Sequence, residues 1–172
     1  MAATPKQPLA TAESIFLYAE AAEKLIEQAK RAAPHDAQTH VTDAAGFAPM
    51  VTLDAFAQEL YLKCLQAIDY GKANRGHDCK KLFSELTPGT QRAVKQMYSA
   101  ELATSPIAKQ YAKNFPRDPM TLDKCLDLSS KVFEKVRYLY EGTGGTKMFS
   151  WPLLRVALRK TILAIHPDWS KK

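Results

Sequence analysis

The chain predicts an all-α protein, a compact bundle of about four long helices with one or two short ones. Apolar residues recur at steps of three and four over several long stretches, as one face of a helix requires. No stretch shows the strict apolar–polar alternation of a half-buried strand. Proline and glycine punctuate the periodic stretches and mark their ends. With 172 residues and 46% of them apolar, the chain fits one domain with a single core. That domain is expected over residues 11–169, with a loose N-terminal tail at 1–10 and a short C-terminal tail at 170–172.

The first helix is predicted from Thr11 to Ala33, with Ile15, Tyr18, Ala22 and Leu25 at helical spacing and Pro34 ending it. The stretch from His35 to Met50 has few large apolar residues and reads as a loop. Thr52 is placed to cap a second helix, whose stripe is Leu53, Phe56, Leu60, Cys64 and Ile68. Gly71 closes that helix, and GKANRG forms a turn. Asp78 caps a short helix ending near Leu86. Pro88 opens a further helical segment, interrupted around Ser105-Pro106, and the NFPRDP run from Asn114 to Pro119 is a break. A helix from Leu122 to Glu141 follows, carrying Leu122, Cys125, Leu126, Val132, Phe133, Val136 and Tyr140 as its core stripe. Gly142, Gly144 and Gly145 connect it to a last helix that starts at Trp151-Pro152 and ends before Pro167.

The net charge is +6 and the pI about 9.2, which favours an anionic partner such as RNA, DNA or an acidic protein. Cys64, Cys79 and Cys125 are odd in number and form no CxxC pair, which points to a reducing, cytoplasmic setting. Cys64 and Cys125 fall in apolar helical patterns and read as small core residues. The histidines have no local partners at metal-ligand spacing, so neither a metal nor another cofactor is expected. The N-terminus lacks the apolar run of a signal peptide, and no segment approaches the roughly 20 apolar residues of a membrane span.

The last helix carries the main chemical signal. At 100° per residue, Trp151, Leu154, Leu158, Ile162 and Ile165 share one face. Arg155, Arg159 and His166 fall beside it within roughly 40° of arc, with Val156 and Leu163 beyond them. A fully solvated stripe needs no such apolar bracket. The pattern therefore predicts either a partly buried basic groove or a surface covered by another helix or subunit. Histidine moves protons near neutral pH, and arginine orients phosphate and stabilises developing negative charge. With a ribose 2′-hydroxyl as nucleophile, that chemistry gives transesterification to a 2′,3′-cyclic phosphate and a 5′-hydroxyl without a metal. Ordinary ion pairing of the arginines and end-charge stabilisation by the histidine are the structural alternatives.

Three phrases carry a family resemblance. Ala57, Glu59, Leu62 and Lys63, within FAQELYLKCLQAI, resemble the A-x-E-x-x-L-K-A phrase of HEPN domains. GHDCKKLF, with His77 and Asp78, resembles that family's G-H-D-L-x-x-L, with Cys79 in place of the usual leucine. FEKVRYLYE, from Phe133 to Glu141, is similar to an F-x-x-x-R-Y-x-Y-E signature of some bacterial HEPN-like proteins, and Arg137 is its arginine. The family's catalytic signature is an Arg, four to six residues, then a His. Arg159 and His166 match the longest form, with Lys160 at the polar position after the arginine.

The resemblance implies a HEPN-like fold and a protein acting on RNA. It implies either a metal-independent endoribonuclease of a phage-defence or toxin system, or a non-catalytic module that binds RNA, a nucleotide or a protein partner. In the first case Arg159 and His166 are catalytic, and Arg155, Arg137 and Lys160 contact phosphate. Glu59, Lys63, His77 and Asp78 are structural in either case, as an i,i+4 pair and a helix-capping turn. A homodimer with the last helix near its interface, and a regulatory protein or antitoxin, are the further partners implied.

Overall fold

The computed structural model describes residues 11–32, 44–137 and 151–171. Among these residues the regular structure is helical throughout. The elements are α1 (Ala12–Ala32), α2 (Ala44–Tyr70), α3 (Cys79–Ser84), α4 (Pro88–Thr104), α5 (Pro106–Asn114), α6 (Leu122–Arg137) and α7 (Pro152–Ile165). A 3-10 turn over Pro167–Lys171 follows α7. The predicted N-terminal tail, Pro34, the triple-glycine connection, Tyr140 and Glu141 lie outside the described residues, as do the side chains of Phe133, Val136 and Arg137.

The central helix is α2, which packs against α1, α3, α6 and α7, while α4 covers another side of α7. A helix so enclosed has no single apolar stripe. Val51, Ala55, Ala57, Tyr61, Leu62, Cys64 and Leu65 are all buried, around most of its circumference. Of the predicted stripe only Cys64 is fully buried, and the rest is rim: Leu53, Leu60 and Ile68 are half-buried and Phe56 is 40% exposed. The predicted loop is corrected from Ala44 to Met50, because α2 begins at Ala44 and contains Pro49, while residues 35–43 lie outside the described residues. Pro49 is the sixth residue of the helix, past its first turn, and withholds one i→i−4 amide there, while the alanines around it are strong helix formers. Thr52 is thus interior to α2 rather than its cap.

The face of α1 is likewise rotated from the predicted one. Ile15, Phe16, Ala19, Ala22 and Ile26 enter the core, whereas Tyr18 and Leu25 are exposed. Burying each of the large apolar side chains contributes about 1.5–3 kcal/mol. Gly71 ends α2 with a φ of 71° and donates its N–H to the Ala67 carbonyl (2.9 Å), a left-handed helix end that suits glycine.

The punctuation between α3 and α6 falls where the sequence places it. The Asp78 carboxylate caps α3 by accepting from the Lys81 N–H at 3.0 Å. Ser105 both ends α4 and caps α5, so the break at Ser105-Pro106 is a corner between two helices. At the far end of α2, Asp69 accepts hydrogen bonds from the Thr87 N–H (2.8 Å) and the Thr90 hydroxyl (2.7 Å), tying α2 to the start of α4. Cys64, Cys79 and Cys125 are buried free thiols, and burial pushes each up to about 12. They are inert packing groups at neutral pH. No described helix is long and apolar enough to cross a membrane.

Candidate functional site

The stripe on α7 meets carboxylates from two other helices. Arg155 is 5% exposed. Its Nε donates to Asp54 Oδ1 on α2 and its Nη1 to Glu23 Oε1 on α1, both at 2.7 Å. One turn on, Arg159 grips Glu20 of α1 with two parallel hydrogen bonds, Nε to Oε1 at 2.6 Å and Nη2 to Oε2 at 3.0 Å. The Tyr61 hydroxyl joins the two pairs, lying 2.6 Å from Glu20 Oε1 and 3.0 Å from Glu23 Oε1. Asp54 also accepts from Gln58 (2.8 Å), whose own oxygen accepts from Ser129 of α6. A continuous polar chain thus runs from α1 through α7 and α2 to α6.

The electrostatics follow from this pairing. Burial alone would make Arg155 easier to deprotonate, but Asp54 and Glu23 outweigh it and hold the guanidinium charged. The hydrogen bonds to Glu20 hold Arg159 charged as well. Burial pushes the Glu20 carboxyl up, yet the bonds from Arg159 and Tyr61 prevail and leave it below the usual carboxylate range. Tyr61 is driven well above an ordinary phenol by burial and the adjacent Glu20 carboxylate. The apolar bracket around the stripe is explained by coverage from α1 and α2. Of the two outcomes the pattern allowed, a partly buried basic groove or a covered surface, the arginines are covered by α1 and α2 and paired with their carboxylates.

His166 is set apart from these pairs. It ends α7 with φ −126° and ψ 76°, a non-helical conformation consistent with the proline that follows. Its ring stacks on Trp169 at 4.2 Å between centroids and 6° between planes, and Trp169 packs on Phe16 of α1. Lys160 points outward and pairs with Glu101 of α4 at 2.5 Å. The exposed residues of α7 are Lys160, Ala164 and Ile165. Arg137 is the last residue of α6, and its side chain lies outside the described set.

The residues read as structural form one cluster at the α2–α3 turn. Glu59 is 2% exposed, and its Oε1 receives Lys63 Nζ at 2.8 Å and His77 Nδ1 at 2.9 Å. Its Oε2 is buried without a hydrogen-bond partner among the described residues. Asp78 caps α3 and also accepts from the Ser130 hydroxyl of α6 at 2.9 Å. The cluster pins the turn to α2 and α6.

A different surface holds the open cations. From Pro88 to Arg117 the chain carries Arg92, Lys95, Lys109, Lys113 and Arg117, all exposed, and a single acid, Glu101. That acid pairs with Lys160, and Asp118, just beyond, pairs with Lys124. None of the five cations has a carboxylate partner among the described residues. Phe115, 51% exposed, lies against Tyr111 at 4.8 Å between centroids, and Tyr111 meets Trp151 edge-on at 5.3 Å. The three rings border a cavity of about 430 Å³ that Lys109 also lines. Trp151 is fixed by its Nε1–H donating to the Tyr98 hydroxyl at 2.8 Å, which in turn donates to the Met120 carbonyl. Sequence reading passed over this surface, although its signal is present. The run PIAKQYAKNFPR has three cations, no acid, and two aromatics four residues apart.

No protein-family model matches the chain, and neither does a curated protein or a solved structure.

Proposed function

We propose that the chain is a HEPN-like helical module that binds RNA, and that it does so on the α4–α5 surface rather than along α7. The observation that carries this reading is the set of five exposed cations between Arg92 and Arg117, without carboxylate partners among the described residues, beside an aromatic-lined cavity. Unpaired surface cations release counterions from a phosphate chain, and that release drives non-specific RNA affinity. Arg155 and Arg159 are already paired with carboxylates, so a phosphate arriving there would have to displace Glu20, Glu23 or Asp54. The HEPN-like assignment is supported by two of its three phrases. FAQELYLKCLQAI lies on the central helix, and GHD forms the cap and turn before α3.

The test measures binding and cleavage together. Purified protein is titrated into labelled single-stranded RNA in chelator, by fluorescence anisotropy at several salt concentrations, and the RNA is then run on a gel. Binding is expected to weaken steeply with salt and to give no products. The triple variant Lys109→Ala, Lys113→Ala, Arg117→Ala should bind more weakly, with a salt slope shallower by about 2, near 0.7 per phosphate contact on a single strand. Arg159→Ala and His166→Ala should bind as the parent does. Metal-independent cleavage lost in both of these folded variants would replace the binding reading with the endoribonuclease one. Parent-like binding by the triple variant would sink the α4–α5 assignment.

A further inference from the structure

Resting on that RNA-binding reading, we infer that the aromatic cavity beside α5 is a nucleobase site that makes the module selective for single strands. The cavity has the size of a small-ligand pocket, and its walls suit the flat face of a base. Phe115 is half-exposed and tilted 35° from Tyr111, so an unstacked base has an open ring to lie on. Trp151 closes the inner end and is itself held by Tyr98. Lys109 lines the cavity, and Lys113 and Arg117 lie within two residues of Phe115 in sequence. That arrangement matches a nucleotide, with its base inserted and its phosphate outside.

A second cavity of about 640 Å³ lies between α3, α4 and α6, and Leu102 of α4 lines both. Lys95 and Lys80 stand at this neighbouring cavity; Lys80 pairs with Asp123, and Lys95 has no carboxylate partner among the described residues. The two hollows therefore adjoin at Leu102, near the end of α4. The strand continues from the base bound at Phe115, over Leu102, towards Lys95. An A-form duplex keeps its bases paired and stacked, so it cannot place one in the cavity. An acidic polypeptide satisfies the cations but offers no ring to stack.

The experiment compares three ligands on the full chain by anisotropy at fixed salt. They are a labelled single-stranded RNA, the same sequence as a duplex, and the single strand carrying abasic sites. Each is titrated with the parent and Phe115→Ala, with thermal melts to verify folding. The parent is expected to prefer the intact single strand over both other ligands by roughly tenfold. Phe115→Ala should lose about tenfold on the intact strand, within the range of one base–aromatic stack, and keep its salt slope. Equal binding of all three RNAs, or parent-like binding by folded Phe115→Ala, overturns the base site while leaving the basic-surface reading in place. Equal competition by poly-glutamate also overturns it and marks a general polyanion surface. Absence of RNA binding at any salt overturns both.

Discussion

The α7 stripe and the α4–α5 surface are built from the same residue types and have opposite fates. On α7, Arg155 and Arg159 face helices that bring Glu20, Glu23 and Asp54 to hydrogen-bond distance. On α4 and α5, Arg92, Lys95, Lys109, Lys113 and Arg117 face solvent, and the nearby acids pair with other lysines. A cation's role is set less by its own helix than by what the packed neighbour supplies. In the first region charge holds the bundle in register. In the second it is available to a ligand.

Arg155 gives the largest expected effect. Arg155→Met removes the partner of two carboxylates in the interior and should destabilise by about 3–5 kcal/mol, read from urea unfolding midpoints. Adding Glu23→Gln and Asp54→Asn should recover much of that loss, because the damage comes from uncompensated buried charge. If the single variant unfolds like the parent, the α7 stripe is not a structural ion-pair network and the comparison breaks.

Glu20 comes next. Glu20→Gln keeps some hydrogen bonding to Arg159 and Tyr61 and should cost about 1–2 kcal/mol, reduced by the partial exposure of the pair. Its pH signature is more telling than its size. The Glu20 carboxyl is held below its ordinary value in the fold, so its contribution is full above the ordinary carboxylate range. The contribution is lost as pH falls through the depressed value. Denaturant midpoints across that acidic window should fall more steeply for the parent than for Glu20→Gln. Parallel curves would show that Glu20 is not held by Arg159 in solution.

The contrast also explains what was legible in the sequence. The helix ends from Gly71 to Ser105 were, because caps and breakers act locally: Gly71 after α2, Asp78 on α3, and Ser105 between α4 and α5, whereas the start of α2 was not. The bracketing of Arg155 and Arg159 by Val156 and Leu163 correctly signalled coverage. The covering groups were not readable, because Glu20 lies 139 residues from Arg159. Two faces were misjudged for a related reason. Periodicity shows that a helix is amphipathic but does not show how many neighbours it has, so the nearly enclosed α2 and the rotated α1 both escaped a one-stripe reading. The α5 surface is less legible than an Arg–His spacing, because its signal is an absence of acids around two aromatics.

The smallest stability effect, and the sharpest contrast, belongs to Lys113. Its side chain is exposed near the end of α5 and has no carboxylate partner among the described residues. Lys113→Ala should therefore shift stability by less than about 0.5 kcal/mol, as for a surface position away from any special contact. A lysine in the last turn also favours the helix dipole, so the shift should be towards slight destabilisation. RNA affinity should nevertheless fall, and the salt slope should drop by roughly 0.7 if one phosphate contact is lost. A variant that melts like the parent and binds RNA less tightly separates ligand charge from structural charge. If instead stability falls and binding holds, Lys113 belongs with Arg155, and the two regions are not different in kind.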